Sequence, residues 1–165
     1  MEQLFNQLSE TLLNNLRNGE DLKLTIGGEN SQFVRFSQSK VRQSGLVDDA
    51  ILSIVLINNE RTCHGSFTLT GNIDIDEETA IEELNRLRDE VETLPKDPFV
   101  VMPKDTGSSR EEYNGSLMNH GTAVSALSPA MQGVDLAGIW ASGRIFTGMP
   151  IPLDKNIGSP QIHSP

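Results

Sequence analysis

The residues that could carry chemistry in this chain are few, and their spacing completes no known catalytic or metal set. There is one cysteine, Cys63, and there are three histidines, His64, His120 and His163. Two imidazoles reach one zinc from adjacent helical turns only at H-E-x-x-H spacing, and no pair here has it. Cys63 and His64 are neighbours on a strand-like segment, where consecutive side chains point to opposite faces, so they cannot serve as a thiolate and its base. The expectation is a buried cysteine and a surface histidine. Asn72, Asp74, Asp76 and Glu83 fall at the first, third, fifth and twelfth places of a calcium loop. Glu77 stands where that loop requires glycine for its sharp turn, however, and Ala80 and Ile81 belong to an apolar helical stripe. Capping of a helix by Asp76 accounts for these residues better.

Ser142 lies in Ala141-Ser142-Gly143 without the preceding glycine of a nucleophile elbow. Gly138, Gly143 and Gly148 recur every five residues, but no Gly-Lys-Ser or Gly-Lys-Thr follows, so close backbone packing explains them better than a phosphate cradle. Arg35, Lys40 and Arg42 form the main basic cluster, read as a solvated strand face or as a carboxylate-binding edge. No catalytic, cofactor-binding or metal-ligating residue is assigned to the chain.

The elements that would position these residues follow from periodicity. Leu4, Leu8, Leu12 and Leu16, with Phe5 and Leu13 beside them, make one helical stripe that Gly19 can close. Leu22, Leu24 and Ile26 alternate with polar neighbours. Gly27-Gly28 with Asn30 then offers turn chemistry before Phe33-Val34-Arg35-Phe36, which predicts two strands joined by a hairpin-like loop. A segment from Gln38 to Gln43 precedes the apolar run Ala50 to Ile57, a strand covered on both faces. Asn58-Asn59-Glu60 turns it into a half-exposed strand from Arg61 to Leu69. Ala80, Ile81, Leu84, Leu87, Val91 and Leu94 define a second helix that Pro95 ends.

This order predicts an α+β fold, an antiparallel sheet with helices packed on one face, followed by the start of a second domain. The expected divisions are an N-terminal unit at 1–95, a linker at 96–115, the beginning of an incomplete second unit at 116–148, and a tail at 149–165. The linker carries an apolar patch, Phe99-Val100-Val101-Met102. A short helix is expected around Thr122 to Met131, and Asp135–Gly148 reads as a strand pair.

The chain has 165 residues with 13 Lys and Arg against 23 Asp and Glu, a formal charge of -10. That sign repels phosphate backbones, so no nucleic-acid partner is expected. A single cysteine excludes an intrachain disulfide and fits a reducing compartment. Glu2 and Glu10 on the first helix are unlike a signal peptide, and no apolar run approaches a membrane span. A soluble, cytoplasmic protein with no membrane partner is the resulting expectation.

Phe33-Val34-Arg35-Phe36-Ser37-Gln38-Ser39-Lys40-Val41-Arg42-Gln43, with the apolar strand that follows through Ile57, resembles the opening domain of the TldD/PmbA family. Asp135-Leu136-Ala137-Gly138-Ile139-Trp140-Ala141-Ser142-Gly143-Arg144-Ile145-Phe146 is similar to a later segment of the same family. The resemblance implies a relative of cytoplasmic zinc metallopeptidases that act on peptides, once named modulators of DNA gyrase. Their zinc helix carries H-E-x-x-x-H in a following domain. This chain has no such motif, so the resemblance transfers no catalytic residue, and zinc is implied only for the full-length catalytic member. It also implies peptide as substrate of the intact protein and a homologous subunit as partner, in a homo- or hetero-oligomer. The alternative is a non-catalytic interaction module that pairs with a complete homologue through an edge strand.

Half of the eight prolines fall at or beyond Pro150. Codons for Gly148 to Ser159, read from each codon's third base, permit Asn-Ala-Asn-Ser-Leu-Gly-Gln-Lys-His-Trp-Phe, a string similar to the continuation of some family members. The expectation is a single-base loss near Gly148 and Met149, with an out-of-frame tail and a fragment inactive by itself.

Overall fold

A computed structural model describes residues 1–101, 109–113, 115–119 and 121–149. The expected tail from 150 onward, His120 and His163 lie outside the described residues. The elements in chain order are α1 (Glu2–Asn14), β1 (Glu20–Ser37), β2 (Lys40–Asn58), β3 (Arg61–Thr68), α2 (Ile73–Val91), α3 (Ala123–Leu127), a 3-10 turn (Ser128–Met131) and β4 (Gly138–Gly148). The four strands make one antiparallel sheet in the order β3-β2-β1-β4. With its helices this is the α+β architecture that the periodicity predicts.

Two long strands dominate. β1 pairs with β2 from Glu20↔Asn58 to Ser37↔Lys40, and the two-residue turn Gln38-Ser39 joins them. Both turn residues have positive φ (53° and 54°), as do Asn59 and Glu60 (49° and 61°) in the β2–β3 turn. Turns of that hand match the right-handed twist of the flanking strands. The Asn58-Asn59-Glu60 turn is thus where the sequence placed it. The Gly27-Gly28 turn is not: β1 runs straight through it, with Gly27 opposite Ile51 and Gly28 opposite Ala50. β4 pairs with the same two glycines from the other side, so hydrogen-bonding partners on both edges outweigh the local tendency to turn. The absence of a side chain is used for close packing instead, since a Cβ on Gly28 would stand 3.3 Å from Ala50 Cβ.

Side-chain alternation sorts the sheet into two faces. Leu22, Leu24 and Ile26 of β1 share the inner face with Leu52, Ile54 and Leu56 of β2 and Cys63 of β3, all buried under Phe5, Leu8 and Leu12 of α1 and Ala80, Leu84, Leu87 and Val91 of α2. Farther along the same face, Val34 and Phe36 meet Ala123 and Met131, with Trp140 packed beside them. One face of the long hairpin thus carries two apolar clusters, one beneath each group of helices.

Three local readings need correction. α1 stops at Asn14, and Gly19 (φ 85°) lies in the connection into β1 instead of closing the helix. Asn72, not Asp76, caps α2, its side chain accepting from the Asp74 amide. Asp135–Gly148 gives one strand, not a pair, because β1 occupies one edge of Gly138–Gly148 along eleven positions. Residues 134–136 are tied to the Gln38-Ser39 turn, with Ser39 N donating to Leu136 O (3.0 Å) and Leu136 N donating to Ser39 Oγ (2.9 Å). Residues expected to open a second unit therefore contribute a strand to this sheet and, through Ala123, Met131 and Trp140, most of its second apolar cluster.

Candidate interaction surface

The chemistry-bearing residues of the sequence are dispersed by the fold. Cys63 is buried on the inner face. Burial, then the neighbouring Glu90 carboxylate, pushes its thiol pKa up, which makes it a poor nucleophile. His64 is exposed on the opposite face, as strand alternation requires. Asp76 is fully buried, and its carboxylate accepts from Thr70 N and Thr70 Oγ1 (both 2.8 Å) and Gly71 N (3.0 Å). It pins the β3–α2 loop and has no geometry free for a cation. Glu83 pairs with Arg86 at 2.8 Å, which holds its carboxyl below the usual range against the effect of burial. Among the described residues no three His, Cys, Asp or Glu side chains are grouped to hold a metal.

Sequence reasoning missed the most buried ion pair. Arg88 of α2 donates from Nε to Glu20 Oε1 (2.9 Å) and from a terminal nitrogen to Glu20 Oε2 (2.8 Å), and also to Asn15 O (2.7 Å). The two side chains are 10% and 3% exposed. Burial raises the Glu20 pKa, but the Arg88 guanidinium and the Arg17 amide outweigh it, so the carboxyl sits below the usual range. The pair ties α1, β1 and α2 together. Two residues 68 positions apart leave no local signal by which this could be found.

Concave sites are modest. A cleft of about 310 Å3 is lined by Asn58, Asn59, Arg61, Val91 and Glu92, and its guanidinium is already engaged, Arg61 Nε donating to Leu94 O (2.8 Å). A smaller groove of about 200 Å3 runs between α3 and the β1–β2 hairpin past Gln32, Phe33 and Leu46. Neither brings a nucleophile to a base.

Among the described residues, what the fold presents is an edge. β4 is hydrogen-bonded to β1 on one side, stands last in the sheet order and carries one charge, Arg144. Natural edge strands are usually blunted by proline, lysine or a bulge, and β4 has none of these. By register Ile139, Ala141, Gly143, Ile145 and Thr147 lie on the outer face and Trp140, Ser142, Arg144 and Phe146 on the inner one. Ile139 is 70% and Ile145 82% exposed. Gly143 is required where it stands, since an added Cβ would come 2.5 Å from Ser31 Cα on the neighbouring strand. The expected Gly138, Gly143, Gly148 repeat therefore lies along the edge strand β4. Arg35, Lys40 and Arg42 are all exposed at the hairpin end, and Arg42 donates to Gln38 Oε1 (3.0 Å). None of the three makes an ion pair among the described residues.

No family model and no curated protein sequence matches the chain. Among solved structures it is similar to TldE from Thermococcus kodakarensis, with a TM-score of 0.55 and 14% identity over 89% of this chain and 34% of that one. It is also similar to a proposed modulator of a DNA gyrase from Thermotoga maritima, with a TM-score of 0.40 and 17% identity over 69% of this chain and 24% of that one. The chain thus spans about a third of the length of TldE, and the likeness shows a shared fold. Among the described residues no helix is long and apolar enough to cross a membrane.

Proposed function

We propose that this chain is the N-terminal, non-catalytic portion of a TldD/PmbA-like protein, and that it works by binding a homologous subunit through the edge of β4. The observation that carries this reading is the match of 89% of the chain to about a third of TldE, together with an unblunted edge strand beside exposed Ile139 and Ile145. In the intact protein, peptide hydrolysis and its zinc belong to a domain bearing H-E-x-x-x-H. The donor set here does not fit that metal, because Cys63 is buried, Asp76 is committed to Thr70 and Gly71, and the motif is missing from the sequence. The role left to this chain is to shape the subunit interface and the peptide passage of such a cytoplasmic assembly. Residues 149–165 are an out-of-frame extension in this reading.

The test is co-expression with a complete homologue bearing H-E-x-x-x-H, alongside zinc titration and peptide hydrolysis on the purified chain. The expected result is a stable complex, with neither stoichiometric zinc nor turnover from the chain by itself. Hydrolysis by the 165-residue chain would overturn the proposal. Sequencing the gene beyond the Gly148 codon checks the frame, and absence of H-E-x-x-x-H from the shifted frame would sink the fragment reading.

A further inference from the structure

We propose that the cleft between the β2–β3 turn and the C-terminal end of α2 binds a free α-amino acid with a small apolar side chain. The proposal goes beyond the assignment of the β4 edge to a partner and does not rest on it, since the cleft lies on the β3 side of the sheet and β4 forms the other edge.

Asn58 and Arg61 stand opposite each other where β2 turns into β3, so their side chains share one face of the sheet. Alternation from Leu52, Ile54 and Leu56 makes this the inner face. There the row of core side chains gives way to a cleft of about 310 Å3, bounded by Val91 and by Glu92, the C-cap of α2. Its walls are tied together. Arg61 Nε donates to Leu94 O (2.8 Å) and Asp97 N to Glu60 O (2.7 Å), which joins the segment after α2 to the β2–β3 turn. The Nε bond orients the guanidinium and leaves its terminal nitrogens without a partner among the described residues. Asn59 Oδ1 accepts from Lys96 Nζ (2.9 Å), so the nitrogen is the end of that amide left to donate. The side chains of Asn58 and Glu92 make no hydrogen bond or ion pair among the described residues.

Arg86, Arg88 and Arg110 each pair with a glutamate. Arg61 and Glu92 line one cleft and do not pair with each other. A ligand that carries both charges on adjacent atoms satisfies both walls. Its carboxylate takes the parallel terminal N–H donors of Arg61, a geometry that a planar guanidinium matches, with Asn58 and Asn59 beside it. Its ammonium goes to Glu92, where the negative end of the α2 dipole adds to the attraction. A simple anion gains at Arg61 and is repelled at Glu92, and a simple cation meets the reverse. The volume lies at the low end of small-molecule sites, roughly 300–1,000 Å3, which suits a molecule of amino-acid size. Val91, 1% exposed, is the apolar contact for a short aliphatic side chain. A peptide end does not match the pair of walls, because its terminal Cα carries a carboxylate or an ammonium but not both.

NMR titration of the isotope-labelled full chain with L-valine reads the site residue by residue. At millimolar ligand the expected result is saturable shifts of the Asn59, Arg61, Val91 and Glu92 amides. N-acetyl-L-valine stands for a peptide C-terminus and L-valinamide for an N-terminus. Each should bind at least about tenfold more weakly, because each lacks one charge-assisted hydrogen bond. Glu92→Gln should weaken L-valine by a similar factor and leave N-acetyl-L-valine unchanged, and the fold should be unaffected because the Glu92 side chain makes no bond. Arg61→Lys, which keeps the charge and loses the parallel donors, should weaken L-valine and N-acetyl-L-valine together and leave L-valinamide unchanged. The Glu92→Gln arm decides the matter even where a change at Arg61 loosens its bond to Leu94. Absence of saturable shifts at these residues, equal affinity for the three ligands, or L-valine binding indifferent to Glu92→Gln overturns the proposal. None of these outcomes bears on subunit pairing at β4, which co-expression reads separately.

Discussion

Replacing Arg88 by Met should destabilise this fold more than any surface substitution, and the reason is the company Arg88 keeps. Its guanidinium makes two bonds to the Glu20 carboxylate, one to Asn15 O and one to Asn85 Oδ1. The Glu20 side chain is 3% exposed, so Arg88→Met leaves a carboxylate out of water with only the Arg17 amide, at 2.8 Å, for a partner. Breaking one side of such a pair costs roughly 3–5 kcal/mol. At about 2–4 °C of Tm per kcal/mol for a chain of this size, the drop should be roughly 6–20 °C. The pH dependence makes the test specific. In the native protein the Glu20 pKa lies below its usual value, so its stabilisation is present above the unfolded value of about 4.3 and is lost as pH falls through the folded one. In Arg88→Met, burial acts almost unopposed and the folded pKa rises above the unfolded value, so the variant loses stability as pH climbs between the two. The gap between variant and native protein should therefore be widest near neutrality and shrink toward pH 4. Urea unfolding from pH 4 to 8, with Glu20→Leu and Glu20→Leu/Arg88→Met completing a double-mutant cycle, checks this. A loss under about 1 kcal/mol, or a gap independent of pH, would refute the reasoning.

Gly143→Ala should cost about 1–3 kcal/mol, because its Cβ must displace the Ser31 backbone, and calorimetry should show the loss. Asp76→Ala should cost more than Asn72→Ala, which removes a single cap worth about 1 kcal/mol, since Asp76 serves Thr70 and Gly71 together; paired urea titrations rank them. Ser9 carries the one buried side-chain oxygen without a partner among the described residues, so Ser9→Ala should stabilise by about 1 kcal/mol in thermal melts. Cys63 should react with a thiol reagent at neutral pH only after denaturation, because burial and Glu90 raise its pKa; rapid reaction in the folded protein would show the inner face to be open.

Local pattern determined much of this protein. The stripe Leu4, Phe5, Leu8, Leu12 and the stripe Ala80, Leu84, Leu87, Val91 each specify a helix and the face it buries, because side chains 3 or 4 apart lie on one side of a 3.6-residue turn. The parity of Cys63 and His64, and the turn at Asn59-Glu60, were legible for the same reason: strand alternation and primed turns depend only on neighbouring residues. The tertiary structure decided what depends on distant partners. Gly27-Gly28 has the composition of a turn, and it becomes strand because β2 and β4 supply hydrogen bonds on both sides. Asp76 has the position of a cap, and it becomes a loop anchor because Thr70 and Gly71 aim their donors at it. Glu20 and Arg88 meet only when α2 closes over the start of β1. The candidate surface belongs to the second group as well: Gly138–Gly148 reads as a strand from its residues, but whether a strand lies inside a sheet or at its edge is fixed by which backbones occupy its two sides, and periodicity carries no record of that.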